Sequence, residues 1–215
     1  MYLAGIINDV LESKKDKLIG KSTPFYICNV LSRSFKKTEK FKFKFETYSD
    51  YGKDDYAVSG MYDMDGDVKY IILNFSKHKT FLLKPEKWND FKFAISQVCQ
   101  HEAIHQCQWS MVTDPVMRNI EKDKLDFRNM EGSISEEQSY LADPDEIDAY
   151  GHDIAMEIKH FYPKKDPYFV LSNINKHRKI WSYNYYKKIF KNEDWSEIRN
   201  RLLKKTYKWM PYVHV

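Results

Sequence analysis

The chain opens with a helical rhythm. Over residues 3–18, Leu3, Ile6, Ile7, Val10 and Leu11 fall on one stripe at spacings of three and four, which predicts an amphipathic helix. A second helix is expected from Pro24 to about Ser34, with Thr23 as its cap and proline at its first turn. The period then drops to two. FKFKFETY (41–48) alternates Phe41, Phe43 and Phe45 with Lys42 and Lys44, the mark of a strand with one wet face. YAVSGMY (56–62) and VKYIILNF (68–75) flank MDGD, and Asp65-Gly66 is a hairpin signal. Asp63, Asp65 and Asp67 also suggest a calcium loop, but glycine stands fourth instead of sixth, so the turn is preferred.

Helical spacing returns after Pro85. Phe91, Ala94, Ile95, Val98 and Ile104 form the inner stripe of a long helix from Trp88 to about Trp109. Residues 110–140 read as a long polar connection. Another helix is expected from Pro144 to about His160, and two more over roughly 168–190 and 194–207. In the first of these, Trp181, Tyr185, Tyr186 and Ile189 are expected to pack into a core. Helices and strands segregated in this way predict an α+β fold. A small, mostly antiparallel sheet should pack on the 88–109 helix, with additional helices on the C-terminal side.

Composition narrows the class. Its 215 residues are 42% hydrophobic and 31% charged, the balance of a globular domain and not of a disordered chain. One domain spanning 1–215 is expected, with a C-terminal helical extension from about 166. No run approaches the roughly 18 apolar residues of a membrane span. The N-terminus lacks a basic leader and a small-residue cleavage site, so it is read as a helix and not an export signal. Three cysteines, Cys28, Cys99 and Cys107, make no disulfide framework and favour a reducing, cytoplasmic setting. Cys99 and Cys107, eight residues apart on one helix, are expected to be buried small apolar residues. The net charge of +4 comes from 29 Lys and only 6 Arg, mixed with acids. Lysine is a mobile point charge, and nucleic-acid readout leans on the planar arginine fork, so composition speaks against a nucleic-acid partner.

The sharpest chemistry is His101-Glu102-Ala103-Ile104-His105, an H-E-x-x-H inside the long helix. Two histidines four apart share a helix face and can reach one tetrahedral ion. Glu102, beside the first of them, is then placed to take a proton from water. A chance match is expected in roughly one sequence of this kind in a hundred. The metzincin continuation fails, because Gln108 and Met111 hold the glycine and third-histidine positions. A third ligand must come from elsewhere, and LADPDEIDAYGHDIAMEI (141–158) offers Glu146, with Asp148 and His152 in reserve. Glu146 also falls at the capping-box position of a helix started by Asp143 and Pro144, a structural role that need not exclude ligation.

These motifs resemble gluzincin-type zinc metallopeptidases. His101-Glu102-x-x-His105 followed by Glu146-x-x-Ala149 is similar to the paired motifs of ImmA/IrrE-like peptidases and related small phage proteins, over roughly residues 56–158. The resemblance implies a zincin-like fold. It also implies Zn²⁺ held by His101, His105 and Glu146, and Glu102 as general base and then acid. The expected reaction is hydrolysis of a peptide or protein substrate aligned along an edge strand within 56–75. The long 106–145 connection and the C-terminal helices depart from the family pattern. The oxyanion stabiliser stays open among Tyr140, Tyr150, His152, His160 and His177. The competing readings are a catalytically silent zinc-stabilised binding protein and, less favoured, a nucleic-acid binder.

Overall fold

The computed structural model describes residues 4–36, 40–111, 136–190 and 193–213. The chain divides into two compact units, Met1–Gln106 and Cys107–Val215, and the division falls inside one helix.

In the first unit, α1 (Ala4–Glu12) buries Ala4, Ile7 and Leu11. The single helix expected over 3–18 is interrupted. Ser13 Oγ donates to Val10 O at 2.7 Å and Lys14 N to Leu11 O at 2.9 Å, bonds that tighten and close the helix. A one-turn α2 (Lys15–Leu18) follows. Leu3, the first residue of the expected stripe, lies outside the described residues. Strand β1 (Gly20–Ser22) leads into α3 (Pro24–Phe35), where Thr23 Oγ1 accepts from Tyr26 N at 3.1 Å. This is the expected cap, and α3 buries Ile27, Cys28, Leu31 and Phe35.

Strands β2 (Phe41–Tyr48), β3 (Tyr56–Asp63) and β4 (Val68–Ser76) form a sheet in the order β2-β4-β3. A short β5 (Phe81–Leu83) pairs antiparallel with β1. The antiparallel expectation holds for β1–β5 and β3–β4, but β2 runs parallel to β4, so the three-stranded sheet is mixed. The reason is hydrophobic. VKYIILNFS is the most apolar of the three strands and takes the centre, leaving the alternating β2 and β3 at the edges. Phe43, Ile71 and Gly60 are then neighbours across one face, as are Phe45, Leu73 and Val58. On that face Phe43, Ile71 and Leu73 join Phe35, Trp88, Phe91, Ile95, Cys99 and Ala103 in one core, whereas Phe45 is exposed.

The β3–β4 turn forms where expected, but its left-handed residue is Asp67 (φ 47°), not Gly66. Among the described residues the acids of this turn do not gather as a calcium site. The Asp63 carboxylate accepts from Gly66 N (3.2 Å), whereas Asp67 accepts from Lys40 Nζ (2.6 Å), Gln106 Nε2 (2.6 Å) and Tyr62 OH (3.1 Å). Chiefly through Lys40 and Gln106, these partners hold the Asp67 carboxyl at about 2. The stabilisation is present above the ordinary aspartate range and is lost as pH falls toward 2. Gln106 also accepts from the fully buried Lys69, so one amide ties the hairpin turn to helix α4 (Trp88–Met111).

The second unit carries the last residues of α4, then α5 (Glu136–Ala142) and α6 (Pro144–Phe161). After these come α7 (Pro167–Ser172), α8 (Trp181–Ile189) and α9 (Glu193–Trp209). Part of the connection expected over 110–140 is therefore helical, and 112–135 lie outside the described residues. The helix expected over 168–190 is broken into α7, a 3-10 turn (Ile174–Lys176) and α8. Glu157 on α6 receives Ser182 N (3.1 Å) and Ser182 Oγ (2.8 Å), capping the start of α8 from outside. The expected aromatic face is corrected by a small rotation. Trp181 is 58% exposed and Tyr185 is exposed, while Ser182, Tyr183, Tyr186 and Phe190 are buried. Cys107 is likewise exposed, unlike Cys28 and Cys99.

Helix α6 is the centre of this unit and approaches α9 closely at Gly151. A Cβ there would stand 2.6 Å from Lys205 Cβ and 3.1 Å from backbone atoms of Lys205 and Thr206. Replacing Gly151 by Ala should cost about 1–3 kcal/mol, the usual penalty of overpacking. Urea unfolding of the variant checks this, and an unchanged midpoint contradicts it.

Candidate metal centre

Helix α4 displays the H-E-x-x-H in its second half. Phe91, Ile95 and Cys99 fix the helix in the core, and Trp88 Nε1 donates to Glu12 Oε2 at 3.1 Å. With that rotation set, His101 and His105 lie one turn apart with ring centroids 4.8 Å from each other. His101 is 8% exposed and Glu102 4%, so both are largely removed from solvent. Burial, with the charge of Glu102 adding to it, raises the Cys99 thiol well above its ordinary range. Cys99 is therefore an inert core residue.

Glu146 sits in the first turn of α6, buried to 8% exposure. The helix start is closed by bonds to and from Asp143. Asp143 N donates to Tyr140 O (3.1 Å), and the Asp143 carboxylate accepts from Asp145 N (2.9 Å). Asp143 thus caps the helix as expected. Gln108 Nε2 donates to Asp145 O (3.0 Å), adding a further tie at this helix start.

Ligand atoms of His101, His105 and Glu146 all lie within 4.8 Å of one another. Among the described residues this is the one such group of three or more His, Cys, Asp or Glu side chains. Two imidazole nitrogens and one carboxylate oxygen are the donor types of His₂Glu zinc sites, and these residues would hold such an ion. Magnesium and calcium prefer oxygen ligands throughout, which this set does not provide. The cluster matches the gluzincin H-E-x-x-H…E arrangement and is suited to Zn²⁺.

The reserve ligands are placed elsewhere. Asp148 Oδ1 takes Lys205 Nζ (2.9 Å) and Trp209 Nε1 (3.2 Å). His152 is buried against the Trp209 ring at 5.1 Å. Of the residues left open as oxyanion stabilisers, Tyr150 packs on Tyr186 and His160 on Phe161. His177 packs on Tyr162, and Tyr140 is exposed. Burial and the nearby Lys165 and Lys176 lower the His177 pKa.

Sequence reasoning missed Gly60. It sits on β3 directly against Glu102 and Val98, where a Cβ would come within 2.7 Å of Glu102 Cγ and of Val98 Cγ1. An isolated glycine inside a strand is the available signal, since it marks a bulge or a close approach. Gln106 was also missed; nothing local distinguishes it from other surface glutamines.

No family model, curated protein or solved structure matches the sequence. Among the described residues no helix is long and apolar enough to cross a membrane.

Proposed function

We propose that the protein is a zinc-dependent peptidase in which His101, His105 and Glu146 hold the ion and Glu102 is the general base. The observation that carries this reading is the gathering of the three ligand atoms within 4.8 Å, two from the motif helix and one from a residue 41 positions later. When bound, zinc supplies Lewis acidity, making water acidic near neutral pH and polarising an adjacent carbonyl. Glu102, next to His101 and largely shielded from solvent, takes the proton of the attacking water and returns it to the departing amine. Among the described residues strand β3 is an edge of its sheet, which suits an extended peptide added as a further strand. On this reading the whole chain, 1–215, acts as one zincin-like domain.

The test is metal analysis of the purified protein, combined with hydrolysis of a quenched fluorogenic peptide library. About one zinc per chain is expected. Dialysis against 1,10-phenanthroline should remove the activity, and added Zn²⁺ should restore it. A folded protein that takes up no zinc would sink the proposal.

A further inference from the structure

Gly60 interrupts an otherwise ordinary strand, and its backbone gives no reason for glycine. Among the described residues the only glycine with a positive φ is Gly20, so any L-residue could adopt the conformation of Gly60. Glycine inside a strand costs conformational entropy and leaves no side chain to pack. What demands it here is space. Gly60 pairs with the buried Ile71 on the sheet face that carries the core. Above it lie Val98 and Glu102, four residues apart and therefore stacked on one side of α4. An added Cβ would meet Glu102 Cγ and Val98 Cγ1 at 2.7 Å each, and Glu102 Oε1 closer still.

We propose that Gly60 is a positioning residue for Glu102, its missing side chain forming the slot in which the carboxylate lies against the edge strand. The catalytic part of this inference rests on the peptidase reading; the packing part does not. Without a Cβ at position 60, the strand backbone leaves room for the Glu102 side chain to lie against it. Any larger residue displaces the carboxylate or drives the helix from the strand. A peptide added to β3 and the base that serves it then take their positions from one strand. Such common anchoring matters because a misplacement of about 1 Å can cost on the order of a hundredfold in rate.

The test is a double-mutant cycle read by urea unfolding, using Gly60→Ala, Glu102→Ala and the double variant. Gly60→Ala should lower the folding equilibrium constant by about 5- to 150-fold, the range of overpacking. Glu102→Ala should relieve most of that loss, giving clear non-additivity. If Gly60→Ala cannot be purified, the same cycle in a Val98→Ala background removes the aliphatic half of the collision. Additive effects overturn the proposal. For activity, Gly60→Ala should keep one zinc per chain and a KM within about threefold, while kcat falls roughly a hundredfold. An unchanged kcat overturns the positioning role and leaves the peptidase reading intact. A wild-type protein that cleaves no peptide fails the peptidase reading instead, and the unfolding cycle then decides alone whether Gly60 seats Glu102.

Discussion

Exchanging Glu102 for Gln should leave zinc bound at one per chain and reduce kcat/KM by about a thousandfold, within the usual 10²–10⁴ contribution of a general base. The amide has the shape of the carboxylate, so the slot beside Gly60 stays filled and the motif helix keeps its contact with the edge strand. What changes is proton affinity. An amide does not take a proton from water near neutral pH, so the step that both generates hydroxide and prepares the acid for the leaving amine is lost. Glu102 is 4% exposed, and the isosteric amide fills the same space, so the variant should fold as the parent does. Measured zinc content, thermal stability and peptide hydrolysis together decide between readings. A catalytically silent, zinc-stabilised binding protein predicts that the substitution alters nothing functional. Loss of zinc together with activity would instead place Glu102 in the ligand set, and the assignment of roles would have to be redrawn.

The parts of this architecture that were legible in the sequence are those fixed by neighbours along the chain. Thr23 and Pro24 start a helix through local hydrogen bonding, and Phe41 and Phe43 of β2 are buried where the alternation puts them, although Phe45 is exposed. His101 and His105 share a face because of helix geometry alone. The unreadable parts depend on distant segments. Nothing within FKFKFETY announces a parallel partner; that pairing follows from the competition of three strands for the centre of the sheet. In WSYNYY aromatics occupy several faces of the helix, so periodicity cannot separate buried Tyr183 from exposed Trp181. Ser13 ends α1 by a side-chain bond that competes with helix continuation, a contest that the apolar stripe does not record. Gly60 was visible as an anomaly, yet its meaning required knowing that Glu102 would lie above it. For Glu146 the sequence left a balance of two compatible roles, cap and ligand, and the gathering of its carboxylate with His101 and His105 supports the second.

That balance yields the second large effect. Glu146→Ala should weaken zinc binding by more than about a hundredfold, exceeding the 10- to 100-fold typical of losing an outer-shell partner. Asp148→Ala should leave zinc affinity within a few-fold of the parent. The contrast is informative because the two acids lie two residues apart on one helix and carry the same charge, so a general electrostatic effect on a cation would weaken both variants alike. Their surroundings differ. Glu146 is buried and belongs to the His101–His105 group, whereas the Asp148 carboxylate is engaged by Lys205 and Trp209. Removing Asp148 should therefore show as lost stability, at most about 1 kcal/mol for a partly exposed ion pair, with a further contribution from the indole bond. Competition titration against a chromophoric zinc chelator measures the first quantity and urea unfolding the second. If both variants lose zinc equally, the carboxylates act as a diffuse negative field and Glu146 is not a ligand. If Asp148→Ala alone loses it, the third donor lies one half-turn further along α6.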